Sequence, residues 1–338
     1  MTLDLHVSFD SPTFTHGANQ GTVEARPSEF KAELRRWWRI LKASDGLDVE
    51  GMHREEQALF GGTGRSHNEK PSISKVRFRS LSCPEATTTT VKAAFAVGGQ
   101  QRALPDEIFY LAYGITENAR DFKESQCLFT KSQDGDPWSL RLGFHSKGDA
   151  GSNEEKQKAE VVSALRLMDM FGCIGGRSNN GWGSLSIKAR DGGLALPDAL
   201  PQVAMPIAEC LQKDWPHALG AGPIANGPDG NRVLAWKLQA DKPLLGVFTA
   251  LKELREQLNR EGKIDATNGV AKRGATQIFF KVKRRSDSLF TGMAYCLPHS
   301  FEQNSQGSKM CIEKWTKHLD NDSGWARYNP FTMNGGRQ

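Results

Sequence analysis

EEKQKAEVVSALRLMDMFGCIGGRSNNGWGSLSIKA, residues 154–189, is the stretch on which the fold of this chain turns. Val161, Val162, Leu165, Met168 and Met170 recur at a period near 3.6, which predicts a helix over Glu154–Phe171. Gly172 ends it. Five glycines, Gly172, Gly175, Gly176, Gly181 and Gly183, then precede Ser184–Ala189, which reads as a strand. A structural turn needs roughly one or two glycines. The surplus frees the backbone for positive φ and brings amide N–H groups near a ligand, with Arg177 and Ser178 available for a phosphate and Trp182 for stacking. The plain alternative is a flexible connection. This loop is not a P-loop, because the required lysine is missing and it leaves a helix to enter a strand; no G-x-G-x-x-G follows a strand either.

Upstream, Leu3, Leu5, Val7 and Phe9 alternate with polar residues as a half-buried strand does. Residues 11–27 read as a loop, and Ser28 as the N-cap of a helix running to Ala43. A short helix is expected over Arg54–Leu59, a turn at Gly61–Gly64, and strands over Ile73–Leu81 and Trp138–Phe144. The order is strand, helix, strands, helix, strand, the βαββαβ ferredoxin-like arrangement with insertions. Asp191–Gly230, rich in Gly, Pro and Ala, reads as an inter-domain connection. Beyond it the order recurs: a strand at Val233–Leu238, a helix at Leu245–Arg260, strands at Ile278–Lys283 and Leu289–Leu297, and a helix at Lys309–Leu319. The expected class is therefore α+β, with tandem ferredoxin-like (RRM-like) domains. The first spans 1–195 and carries the glycine loop; the second, diverged copy spans 196–338. A length of 338 residues, at about 150 per domain, agrees with two.

With 38% hydrophobic and 25% charged residues the composition is that of a folded chain, and no apolar run is long enough for a membrane helix. The N-terminus lacks a signal peptide's apolar core, so a cytoplasmic protein with no membrane partner is expected. The six cysteines are scattered, with no C-x-x-C pair, so reduced thiols are expected, with no disulfide framework, metal site or cofactor. A net charge of +5, from 44 basic and 39 acidic residues, leans weakly towards an anionic partner.

Placement of charge is more informative. In the helix after Ser28, Phe30, Leu34, Trp37 and Leu41 form an apolar stripe, while Lys31, Arg35, Arg39 and Lys42 fall on another face with Trp38 beside them. Like charges at i and i+4 repel by a few tenths of a kcal/mol, roughly, so the row invites an anion opposite it. Cations with an adjacent ring suit a single-stranded nucleic acid; a solvated face with Glu29 and Glu33 pairing locally is the plain alternative. A second cluster comprises Lys263, Lys272, Arg273, Lys281, Lys283, Arg284 and Arg285, with Lys281, Lys283 and Arg285 on one face of a strand. That face lines an RNA path or protects an exposed edge by charge.

These motifs together resemble the RAMP superfamily of CRISPR effector proteins, and within it the subunit-one family of the type III-B (Cmr) complex. Phe30–Arg39 is similar to the family helix S-I-[KR]-G-A-[LM]-R-W-W-x-R, keeping Lys31, Leu34, Arg35, Trp37 and Arg39 and departing at Ala32 and Arg36. Glu56–Gly61 matches E-x-x-[LV]-F-G, and the loop matches G-x-x-G-x-R-S-x-x-G-x-G-S at Gly172, Gly175, Arg177, Ser178, Gly181, Gly183 and Ser184. Asn179 and Asn180 stand where basic residues are common, which implies a weaker grip on phosphate. Arg273–Thr276 is similar to a family R-x-A-S-P turn without its proline.

The resemblance implies a non-catalytic subunit of a type III CRISPR ribonucleoprotein. Such a subunit contacts guide RNA near its 3′ side, with target RNA as a second partner, and docks on backbone RAMP subunits. Lys31, Arg35, Trp38, Arg39, Gly175, Gly176, Arg177, Ser178, Gly181, Trp182, Lys281 and Lys283 are the expected RNA contacts. The competing expectation is an endoribonuclease of the same superfamily, whose related subunits cleave with an Asp in the loop after the first strand; here that loop offers Asp10, His16 and Glu24.

Overall fold

A computed structural model describes residues 2–16, 22–62, 71–83, 88–96, 104–132, 135–145, 152–190, 196–222, 232–261, 277–300 and 305–331. The first half contains β1 (Thr2–Phe9), α1 (Pro27–Ser44), α2 (Val49–Phe60), β2 (Val76–Ser82), β3 (Thr88–Thr90), α3 (Val91–Phe95), α4 (Phe109–Ala112), α5 (Ala119–Glu124), β4 (Gln126–Leu128), β5 (Trp138–Phe144), α6 (Ser152–Phe171) and β6 (Leu185–Ala189). The second contains β7 (Ala204–Pro206), α7 (Ile207–Cys210), β8 (Leu219–Gly222), β9 (Arg232–Val233), β10 (Ala235–Leu238), α8 (Leu244–Glu261), β11 (Ile278–Arg284), β12 (Phe290–Cys296), α9 (Ser305–Asn321) and β13 (Trp325–Arg327). The chain is α+β.

The alternation in β1 does what its period dictates: Leu3, Leu5, Val7 and Phe9 are buried, and Asp4, His6 and Ser8 face the other way. β1 pairs antiparallel with β5 and β6, and β5 with β2, giving the order β2-β5-β1-β6. α1 and α6 cover the apolar face. The second sheet has the order β11-β12-β10-β13, again antiparallel throughout. Counting only the strands that alternate with α1 and α6, or with α8 and α9, both sheets run second, third, first, fourth.

Several boundaries differ from expectation. α1 starts at Pro27, whose fixed φ suits the first helical position, so the cap is Arg26 rather than Ser28. α2 starts earlier than Arg54 because the Asp48 side chain accepts the Gly51 N–H at 2.7 Å. The stretch expected as a plain connection forms β7, α7 and β8, with β7 parallel to β8 and β8 antiparallel to β9. The second core also takes in α3, α4, α5 and β4, which pack beside α8 and the second sheet.

The two halves are joined through β11. Lys281, 0% exposed, donates from Nζ to the Leu185 carbonyl at 2.7 Å and to the Gly172 carbonyl. Lys283 Nζ donates to Asp169 Oδ1 at 2.8 Å, and the Val282 N–H to Ser184 Oγ at 2.9 Å. This corrects the expectation that Lys281 and Lys283 lie on an RNA path: both face the first half, and solvent does not reach Lys281. Lys263, Lys272 and Arg273 lie outside the described residues.

Burial pushes the Lys281 ammonium down to about 8 from an ordinary 10.5. Below about pH 8 the folded and unfolded chains both hold the proton, and the folded state bears the full desolvation penalty. Between about 8 and 10.5 only the unfolded chain still binds it, so stability at this site rises with pH across that window. Urea unfolding of wild type and Lys281→Met should therefore show the difference moving in favour of wild type from pH 8 to pH 10.5. A difference that stays flat would show that the buried amine does not titrate there.

Candidate nucleic-acid interface

α1 brings Lys31, Arg35 and Arg39 to one side, as the spacing requires, but α2 answers them. Arg35 Nε donates to Glu56 Oε1 at 2.6 Å; Arg39 donates through Nε and Nη2 to the same carboxylate at 2.9 and 2.7 Å. Burial opposes ionisation of Glu56, yet the hydrogen bonds from Arg39 and Arg35 outweigh it and hold the carboxyl below its usual range. The repulsion expected along the helix is thus offset by a protein carboxylate. Lys31 donates to the Phe60 carbonyl at 2.7 Å, and its ammonium is held below the usual lysine range by burial and then by Arg35. Lys42 turns inward to Glu160 at 3.0 Å and Glu55 at 3.1 Å. Arg35 and Arg39 still reach solvent with part of their guanidinium surface.

Trp38 is not beside that row but beneath it. Its ring is 1% exposed, meets Phe60 edge-on at 5.8 Å and donates from Nε1 to Glu160 at 3.3 Å. Trp37 stacks on Phe171 at 5.5 Å. Because α2, α6 and the first sheet all pack on α1, its apolar arc is wide enough to take both indoles.

The glycine loop is built against the protein rather than around a ligand over most of its length. Gly175 has φ +85° and a Cβ there would lie 2.5 Å from the Phe14 carbonyl; at Gly183, φ +68°, it would lie 1.7 Å from the Ile174 carbonyl. Gly176 N–H donates to Phe14 O, Gly183 N–H to Pro12 O and Gly181 N–H to Ser178 O, so these amides are used internally. Gly181 is buried against Leu251 and Val282. Trp182, expected to stack on a base, is buried at the centre of the second core, 4.3 Å from the Phe248 ring and edge-on to Phe14, Phe95 and Phe122.

What the loop presents outward is its tip. Arg177 takes φ +56°, the one non-glycine with positive φ among the described residues. It is exposed, and no carboxylate among the described residues pairs with it. Its guanidinium lies against Gly114, where a Cβ would come within 2.3 Å of Nη2. Next to that glycine Tyr113 is 68% exposed, and Tyr110, one helical turn back, is 42% exposed. Asn180 fixes the tip to α4 by donating from Nδ2 to the Leu111 carbonyl at 2.8 Å. The amides of Arg177, Ser178 and Asn179 donate to no protein group among the described residues.

In the loop after β1, Asp10 is buried and accepts from Ser186 Oγ, while Glu24 pairs with Arg26 at 3.1 Å. The His16 carbonyl accepts from Arg26 Nη1 at 3.0 Å. Asp10 thus stands apart from Glu24, which Arg26 holds beside the His16 backbone. No group of three or more His, Cys, Asp or Glu among the described residues is placed to hold a metal ion. No helix among them is long and apolar enough to cross a membrane.

The sequence model of the RAMP superfamily matches residues 6–186. The chain belongs to the RAMP superfamily. No curated protein matches it in sequence. Its structure is similar to a chain of the type III-B Cmr-beta complex bound to cognate target RNA, with 12% identity, 94% of this chain and 98% of that one covered, and a TM-score of 0.48. A second Cmr-beta complex, bound to cognate target RNA and AMPPnP in the presence of ssDNA, gives 13%, 94%, 99% and 0.46. A type IV-B CRISPR complex chain gives 12%, 60%, 96% and 0.31.

Sequence reading missed two features of this candidate interface. Glu56 carried a signal, since it opens the E-x-x-L-F-G motif, but nothing tied it to Arg35 and Arg39. Tyr110, Tyr113 and Gly114 carried none, because they lie in a segment without periodicity. Burial makes a direct prediction: Trp37→Ala and Trp38→Ala should each destabilise by roughly 3–5 kcal/mol in chemical denaturation. A Trp38→Ala protein as stable as wild type would place that indole outside the core.

Proposed function

We propose that this chain is a non-catalytic RNA-binding and assembly subunit of a type III CRISPR ribonucleoprotein effector serving antiviral defence. In this reading it contacts guide RNA near its 3′ side, docks on backbone RAMP subunits, and consists of two ferredoxin-like domains. The matching strand order of the two sheets supports the domain reading, and membership of the RAMP superfamily supports the assembly reading.

The observation that carries RNA binding is the loop tip. A strained arginine held in the left-handed region is the kind of backbone expense found at ligand contacts. Here it exposes a guanidinium beside unspent amides, which suit phosphate, and beside two exposed tyrosines, which suit a base. Gly175, Gly176 and Ser178 serve by shaping that turn; Arg35 and Arg39 contribute the guanidinium edges that Glu56 leaves open. Asp10 supports the non-catalytic reading, because a buried carboxylate bound to Ser186 is out of reach of a ribose 2′-hydroxyl.

Arg177→Ala should weaken binding to unrelated single-stranded RNAs by similar factors and lower the slope of log affinity against log salt by about 0.7. An unchanged slope in a folded variant would remove the loop tip from the interface. The purified chain with Mg²⁺ or Mn²⁺ should leave guide-complementary RNA intact over hours. Cleavage that disappears on Asp10→Ala would replace this reading with an endoribonuclease.

A further inference from the structure

The face of the first sheet opposite α1 and α6 is polar, and its charges are sorted by sign. β1 sends Asp4, His6 and Ser8 to it. Register places Arg141 of β5 opposite Asp4, and Arg79 of β2 opposite Arg141, with Arg77 two residues further along β2. On the other side of β1, Lys188 stands opposite His6, and the Arg190 N–H donates to the Asp4 carbonyl at 2.9 Å. Among the described residues its strands thus carry five cations and the Asp4 carboxylate, with Asp10 buried at the end of the face on Ser186, in a chain whose totals are 44 and 39.

Asp4 makes its hydrogen bonds to one of the five. Arg141 grips it with two hydrogen bonds of 2.6 Å, and these, against burial, hold the Asp4 carboxyl below its usual range. Arg77, Arg79, Lys188 and Arg190 are exposed and none of them forms a close ion pair among the described residues, although the Arg190 charge also helps to keep Asp4 ionised. Adjacent strands lie about 4.8 Å apart, so the row from Arg79 across to Arg190 spans roughly 14 Å, enough to meet several consecutive phosphates of one strand.

We propose that this sheet face binds the phosphate backbone of a single RNA strand without reading its sequence; the inference rests on the RNA-binding reading above. Three of the four unpaired cations are arginines, whose forked donors match phosphate oxygens. Among the described residues of its strands the face offers no Phe, Tyr or Trp for a base, and its one ring is the half-buried His6 imidazole; Phe78 points the other way, towards Phe30. β2 and β6 are the edge strands of this sheet, and charge there also blocks edge-to-edge pairing. Either sign would serve that purpose, whereas here the unpaired charges are all positive.

The test uses the full chain and two labelled probes, a uridine homopolymer and an unstructured RNA of mixed sequence. The variant combines Arg77→Gln, Arg79→Gln, Lys188→Gln and Arg190→Gln, all at exposed positions where thermal unfolding should be unchanged. Its slope of log affinity against log salt should fall by about 0.7 for each phosphate no longer neutralised, up to roughly 3, and equally for both RNAs. A control combines Lys92→Gln, Lys309→Gln, Lys314→Gln and Lys317→Gln, exposed cations on α3 and α9, and should keep the wild-type slope. An equal fall in both variants would reduce the effect to net charge and overturn the proposal. A wild-type slope in the sheet-face variant, with a lowered one in Arg177→Ala, would overturn it while sparing the RNA-binding reading and would leave the face to an acidic protein. Wild type that binds neither RNA would defeat the RNA-binding reading itself. Should the fourfold variant unfold, the β2 pair and the Lys188/Arg190 pair made separately should each remove about half of the effect.

Discussion

A lysine buried between the two halves and hydrogen-bonded to backbone carbonyls is the constraint on which the rest of this structure depends. Lys281 reaches out of β11 to the carbonyls at the two ends of the glycine loop, Gly172 where α6 stops and Leu185 where β6 starts. Burying an ammonium is expensive unless its donors are satisfied, so the position of β11 fixes the mouth of the loop. Lys283 and Asp169 extend this junction towards solvent, and Asp169 also accepts the Ile187 N–H at 2.9 Å. The loop is therefore shaped from beneath, and only Arg177 and its neighbours are left to face outward.

A similar division holds on α1. Glu56 neutralises the inner edges of Arg35 and Arg39 and leaves their outer edges available, which lets three cations share a helix face without an external anion to hold it folded. Positive charge at the surface is thereby preorganised rather than created by a partner. The sheet face follows the same rule, with Asp4 orienting Arg141 while four other cations remain unpaired among the described residues.

Much of this was legible in the sequence, for identifiable reasons. β1 has a strict period of two and one dry face, so it was readable from pattern alone, and α6 was readable from a long run without helix breakers that stops at Gly172. The glycines at 175 and 183 marked a backbone that no side chain fits. The failures share a cause. Trp38, Trp182 and Lys281 were assigned to the surface because neighbours in sequence suggested it, and they are buried because elements far away in sequence cover them: α2 and α6 for Trp38, α3, α5 and α8 for Trp182, the first half for Lys281. Tyr110 and Tyr113 show the reverse. They lie in a segment whose short helices hold no periodic stripe, so their exposure follows from tertiary packing alone.

The indole of Trp182 also bears on how such a protein can change over time. By strand order the two sheets look like a duplicated unit, and duplicated units are often treated as exchangeable parts. Here the loop of the first half supplies the ring around which Phe14, Phe95, Phe122 and Phe248 gather. The second half transplanted alone would lose that ring from its core, and the first half alone would keep the indole but lose the Phe248 ring packed on it. The two sheets share a strand order, while packing ties the halves together through this one ring.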